Sequence, residues 1–170
     1  MKRTLANIFA AALLSACALQ AQNPMSTELK QSYTGIKTNL LKLAEKVPED
    51  SYSFKATPDV RTIGQLLGHI ADAQTRTCST VLGDPKPATA GSKTSKADLV
   101  AALKDSIALC DSAFDALTDA NAADMIKAGQ RQRTRYNTLV GVITHDNEEY
   151  GYLAVYLRLK GIVPPSSEGR

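Results

Sequence analysis

The chain has 170 residues, the size of one ordinary domain. Its formal charge of +3 includes Lys2 and Arg3, and no acid precedes Glu28, so the chain beyond its first residues carries about +1. That near-neutral balance speaks against nucleic-acid binding, which shows a concentrated basic face.

The chain opens with Lys2 and Arg3, followed by an apolar run from Leu5 to Leu19 broken only by Asn7 and Ser15. A run of that length falls short of the roughly 20 residues that span a bilayer. A basic start, a short apolar stretch and small residues after it predict a secretory signal over residues 1–21, with no transmembrane helix. Ala16-Cys17-Ala18 and Leu19-Gln20-Ala21 both suit ordinary cleavage. Leu14-Ser15-Ala16-Cys17 has the form of a bacterial lipobox, in which Cys17 would carry a lipid anchor. The expected mature protein is therefore exported, either free in the periplasm or anchored in the envelope.

Four segments carry helical periodicity. The first begins near Ser26 or Thr27 and places Leu29, Tyr33, Ile36, Leu40, Leu43 and Val47 on one stripe, which Pro48 ends. After a connection over 49–60, Thr62-Ile-Gly-Gln65 has the form of a capping box opening the second helix. Its apolar face holds Ile63, Leu66, Leu67, Ile70, Ala73 and Val81, and Gly83-Asp84-Pro85 stops it. A loop rich in Pro, Gly, Ser and Thr leads to Ser95-Lys-Ala-Asp98, which caps a third helix with Leu99, Leu103, Ile107, Cys110, Phe114 and Leu117 in line. Residues 119–136 are mixed and polar, with one short helical turn expected over 122–127. Arg131, Arg133 and Arg135 there read as a solvated segment. The fourth helix is expected from about Thr138 to Lys160, burying Leu139, Val142, Leu153, Tyr156 and Leu157, with Gly161 as terminator. Four such helices, each needing cover on one face, predict an all-α four-helix up-down bundle over residues 26–165.

Two cysteines lie beyond the signal, Cys78 and Cys110, both on inward helix faces. In an exported chain they either bridge the second and third helices or pack as small buried thiols.

The fourth helix has polar groups where its core row should continue. Val142, His145, Glu149 and Tyr156 share a face, and His145 and Glu149 lie one turn apart. A carboxylate on a core-facing row costs several kcal/mol unless it is paired. His69 interrupts the second helix between Leu66 and Ala73, and the chain has no other histidines. Bundles build metal sites from inward groups on facing helices. Two imidazoles and a carboxylate suit zinc with one position left open, and also iron. Hydrogen-bonded core residues would use the same types, so spacing alone leaves both readings open.

Thr57-Pro-Asp-Val-Arg-Thr-Ile-Gly-Gln-Leu-Leu-Gly-His69-Ile-Ala-Asp72 resembles the second-helix motif of the DinB-like superfamily, also called YfiT-like. His145-Asp-Asn-Glu-Glu149-Tyr-Gly151, with the stretch running on to Ser167, resembles its last-helix motif. The resemblance covers the chain from the first helix to the C-terminus. It implies a bundle with a metal triad of three histidines, one on the second helix and two on the fourth. His69 and His145 fall on two of these positions, while Glu149 stands where the family usually has histidine. The implied cofactor is a divalent ion, zinc or nickel first and iron as a further option. The implied activity is hydrolysis or transfer involving low-molecular-weight thiols, although export removes the reducing setting such thiols need. The substrate is unassigned.

Asp72 and Glu148 are candidates for moving a proton or orienting a ligand, with plain surface charge as the alternative. Tyr150 and Tyr152 either line the site or pack. The contrasting expectation is a non-catalytic binding bundle with a lapsed metal site, paired as a homodimer.

Overall fold

The computed structural model describes residues 23–169. The signal sequence expected over residues 1–21 and the expected lipobox at Cys17 lie outside the described residues. Four long helices form the bundle: α1 (Pro24–Lys46), α2 (Ile63–Val81), α3 (Lys96–Asp115) and α4 (Arg135–Leu159). A hairpin of β1 (Met125–Ala128) and β2 (Arg131–Thr134) stands between α3 and α4. None of the described helices is long and apolar enough to cross a membrane.

The helix starts are set by local chemistry. Thr62 accepts from the Gln65 N–H while the Gln65 side chain accepts from the Thr62 N–H, a reciprocal capping box. Ser95 accepts from the Asp98 N–H, and Thr134 from the Asn137 N–H. The Thr134 cap starts α4 at Arg135, ahead of the expected Thr138. Pro24 at the first helical position likewise starts α1 before Ser26. All the stripe residues expected to face inward are buried except Ala73, which is half-buried. Leu40, Leu43, Leu67, Leu103, Leu139 and Leu153 are wholly enclosed, each worth roughly 1.5–3 kcal/mol relative to exposure.

Each helix packs on two neighbours, in the ring order α1, α3, α2, α4. Contacts fix the directions. Gly64 faces Leu99, Gln74 bonds Ser106 and Cys78 is bridged to Cys110, so α2 and α3 run parallel. Val81 bonds Arg135 and Gln74 bonds Asp146, so α2 and α4 run antiparallel. The parallel pair requires the α2–α3 connection to travel the bundle's length, one of the long crossovers seen in such bundles. It returns along α2, where Asp72 accepts from the Ala90 and Gly91 N–H groups at 2.7 and 2.9 Å. Gly68 permits that approach, because a Cβ there would sit 3.0 Å from the Ala90 carbonyl oxygen.

The disulfide Cys78–Cys110 resolves the open alternative for the two thiols in favour of a bridge. The hairpin replaces the helical turn expected over 122–127. Gly129, at φ +65°, takes the first of its two turn positions, which lets the turn follow the strands' twist. The Arg135 N–H bonds the Asp124 carbonyl and extends the ladder at 2.8 Å. β1 lies against α2 and α4.

Candidate metal centre

His69 on α2 and His145 and Glu149 on α4 converge where these antiparallel helices face each other. The two Nε2 atoms are 3.1 Å apart. The Glu149 Oε1 atom lies 3.5 Å from His69 Nε2 and 3.7 Å from His145 Nε2. Ligands about 2.0–2.2 Å from a tetrahedral ion lie roughly 3.3–3.6 Å from one another. The triangle therefore has the size that one shared divalent ion requires. Both imidazoles keep 29 % of their side-chain surface open, whereas Glu149 is buried. Its Oε2 atom has no hydrogen-bond partner among the described residues. A buried oxygen without a donor is costly, and a cation beside the carboxylate supplies what is missing. The donor set, with Oε1 toward the imidazoles, and the buried carboxylate left short of donors at Oε2 both fit a divalent ion.

Asp146, adjacent to His145 in sequence, has no exposed surface at all. Its Oδ1 atom faces His145 Nδ1 at 3.7 Å. Its Oδ2 atom accepts from Gln74 Nε2 at 2.8 Å, and Gln74 Oε1 accepts from the Ser106 hydroxyl at 2.8 Å. The polar chain Ser106–Gln74–Asp146–His145 thus crosses α3, α2 and α4. A carboxylate at Nδ1 favours the tautomer that keeps Nε2 free as a ligand. The carboxylate beside it raises the His145 pKa above the ordinary histidine value. Burial, with help from Arg61, lowers that of His69. Burial raises that of Asp146.

Sequence reading overlooked Asp146 and Gln74. Asp146 stands next to His145 inside the last-helix motif, so its place there was the available signal. Gln74, one helical turn before Cys78 on the same face, gave only the sign of a polar residue on an apolar stripe.

Asp72 uses its two oxygens on the crossover backbone. Glu148 is exposed and accepts from the Tyr152 hydroxyl at 3.0 Å. Neither is one of the three converging donors. Tyr150 is buried and its hydroxyl accepts from the Ser166 N–H, tying the C-terminal segment to α4. Tyr152 is exposed.

Two clefts open beside the cluster. One, of about 560 Å³, lies between the hairpin and the α2/α4 pair and reaches His145 and Asp146. The other, of about 500 Å³, reaches Glu149 and is bordered by Arg61, Leu66, Tyr152 and Tyr156.

The sequence profile of the DinB superfamily matches residues 33–153. A DinB-like protein from Bacillus cereus ATCC 10987 is similar in structure, with a TM-score of 0.71 and 20% identity, covering 81% of this chain and 93% of that one. A DinB-like protein from Bacillus subtilis gives a TM-score of 0.63 at 20% identity, covering 79% of this chain and 92% of its own. A conserved protein from Enterococcus faecalis gives 0.64 at 16% identity, covering 79% and 96%. No curated protein matches the chain.

Proposed function

The chain belongs to the DinB superfamily, and from that membership and the convergence of His69, His145 and Glu149 we propose that it is an exported, divalent-metal-dependent hydrolase or transferase. The observation that carries the reading is the triangle of donor atoms with edges of 3.1, 3.5 and 3.7 Å on two facing helices. His69, His145 and Glu149 would hold zinc, nickel or iron. A bound ion of this kind supplies Lewis acidity to a carbonyl or phosphoryl group.

The chain's own groups do the remaining work. Asp146 orients His145 through Nδ1, and Gln74 and Ser106 hold Asp146 in place. Enclosure of Glu149 removes water from its side of the site and strengthens its attraction for a cation. The half-open faces of the imidazoles leave a route for a small substrate from either cleft.

Export is supported by the leader pattern at residues 1–21 and by the Cys78–Cys110 bridge, since disulfides persist in oxidising compartments and are rare in the cytosol. Mass spectrometry of the mature N-terminus distinguishes a lipidated Cys17 from ordinary cleavage.

The metal reading is tested by metal analysis of purified mature protein beside His145→Ala and Glu149→Gln variants. Wild type should carry about one ion per chain when supplied with zinc, nickel or iron, and both variants clearly less. Metal-free wild type from all three supplies would replace the enzyme reading with a non-catalytic bundle whose site has lapsed.

A further inference from the structure

The cleft under the hairpin is lined by Arg76 from α2, Lys86 from the crossover, and Arg131 and Arg133 from β2. Arg131 and Arg133 are two apart on a strand, so their side chains leave the same face. The hairpin that carries them is held at both ends. β1 packs on α2 and α4, and Arg135, just past β2, donates to the Val81 carbonyl at 2.8 Å. Lys86 pairs with Asp84 at 2.9 Å. Among the described residues, Arg76, Arg131 and Arg133 form no ion pair. The single acid on the cleft wall is Asp146, which is enclosed, with Oδ2 accepting from Gln74 and Oδ1 facing His145 Nδ1 at 3.7 Å. Three unpaired guanidinium groups around one concavity repel one another, and an anion between them removes that cost.

Ala73, Pro85, Ala128 and Val142 give the wall an apolar part, beside the hydroxyl-bearing Thr77, Thr80 and Thr138. At about 560 Å³ the cleft has the volume of a small-molecule site. The exposed arginines and the half-buried His145 line the same cleft, so one ligand can touch both. We propose that this cleft binds a small molecule bearing a carboxylate or phosphate on a short apolar stem, the anion held by Arg76, Arg131 and Arg133 and the stem directed toward His145. That such a ligand is the substrate rests on the metal-centre reading, but its binding does not. The second cleft offers one arginine, Arg61, against two acids, Asp59 and Glu149, and so no net positive charge.

The experiment is a binding titration of chelator-treated mature protein with succinate, inorganic phosphate and uncharged succinamide, followed by amide and arginine side-chain NMR shifts. Succinate or phosphate should bind, weaken with added sodium chloride, and shift signals of residues 128–133. Preference between the two identifies the anion as carboxylate or phosphate. Succinamide should bind at least tenfold more weakly than succinate. An Arg131→Gln/Arg133→Gln double variant should lose roughly tenfold or more in affinity, and Arg61→Gln should keep wild-type binding. Because the hairpin lies outside the helical core, the double variant's circular dichroism and melting temperature should match wild type, which separates lost binding from lost folding. The proposal is overturned if neither anion binds, if succinamide binds as well as succinate, or if Arg61→Gln abolishes binding while the double variant retains it. Each of these is read without metal, so failure here is distinct from failure of the metal assay.

Discussion

Replacing Asp146 by asparagine isolates the group that orients His145. The carboxylate presents two acceptor oxygens, one toward Gln74 Nε2 at 2.8 Å and one toward His145 Nδ1 at 3.7 Å. Asparagine offers one acceptor and one donor amide in nearly the same volume, so it can serve Gln74 or His145 but not both. With its oxygen on Gln74 Nε2, its amide meets a protonated His145 Nδ1, a donor against a donor in a site with no solvent exposure, unless the imidazole moves its proton to Nε2 and gives up that atom as a ligand. Leaving a buried donor unsatisfied costs about 1–3 kcal/mol of folding stability. Loss of a carboxylate behind a histidine ligand lowers metal affinity about 10–100-fold, or roughly 1.4–2.7 kcal/mol. The assay is a competition titration with a zinc chromophore, paired with urea denaturation of the metal-free protein. A variant that binds zinc as tightly as wild type would refute the role assigned to Asp146, whatever its stability.

Other consequences can be measured directly. The Cys78–Cys110 bridge closes a loop of sequence separation 32, for which loop entropy gives about 4 kcal/mol, so a Cys78→Ala/Cys110→Ala variant should unfold at markedly lower urea concentration. Wild type should also show no free thiol at these positions until reduced and unfolded; rapid labelling without reductant would contradict the bridge. Gly68→Ala should be destabilising by about 1–3 kcal/mol even though alanine favours helix, because the new Cβ meets backbone at Ala90 rather than a movable side chain. Equal melting temperatures would show that the crossover yields freely. Asp72→Ala should cost about 1–2 kcal/mol through two lost hydrogen bonds from the crossover and leave metal content unchanged. A variant with full stability and lost activity would instead point to a direct part in the reaction.

The last-helix motif shows how far local pattern reaches. A step of four on one helix places His145 and Glu149 on the same face wherever that helix is packed, and the steps around Leu66 and Ala73 do the same for His69. The four apolar stripes, the capping box at Thr62 and the breaks at Pro48 and Gly83 are likewise local, and they predict bundle and elements together. The hairpin escaped because Arg131-Gln-Arg-Thr134 has no apolar alternation; its strands are exposed or half-buried, so no core period marks them. Backbone pairing, a glycine turn and support from α2 and α4 form it instead.

What only the folded chain decided are relations between segments far apart in sequence. Periodicity states which face of a helix turns inward, but not which helix it meets or in which direction. The return of the crossover along α2 makes α2 and α3 parallel, and that direction brings Cys78 to Cys110 and Gln74 to Ser106. The antiparallel pairing of α2 with α4 places His69 3.1 Å from His145 and encloses Asp146 behind it. Residue identity and spacing therefore specified the candidate donor types and their faces, while helix packing specified their convergence, because the free energy that sets helix order and direction resides in contacts no local window contains.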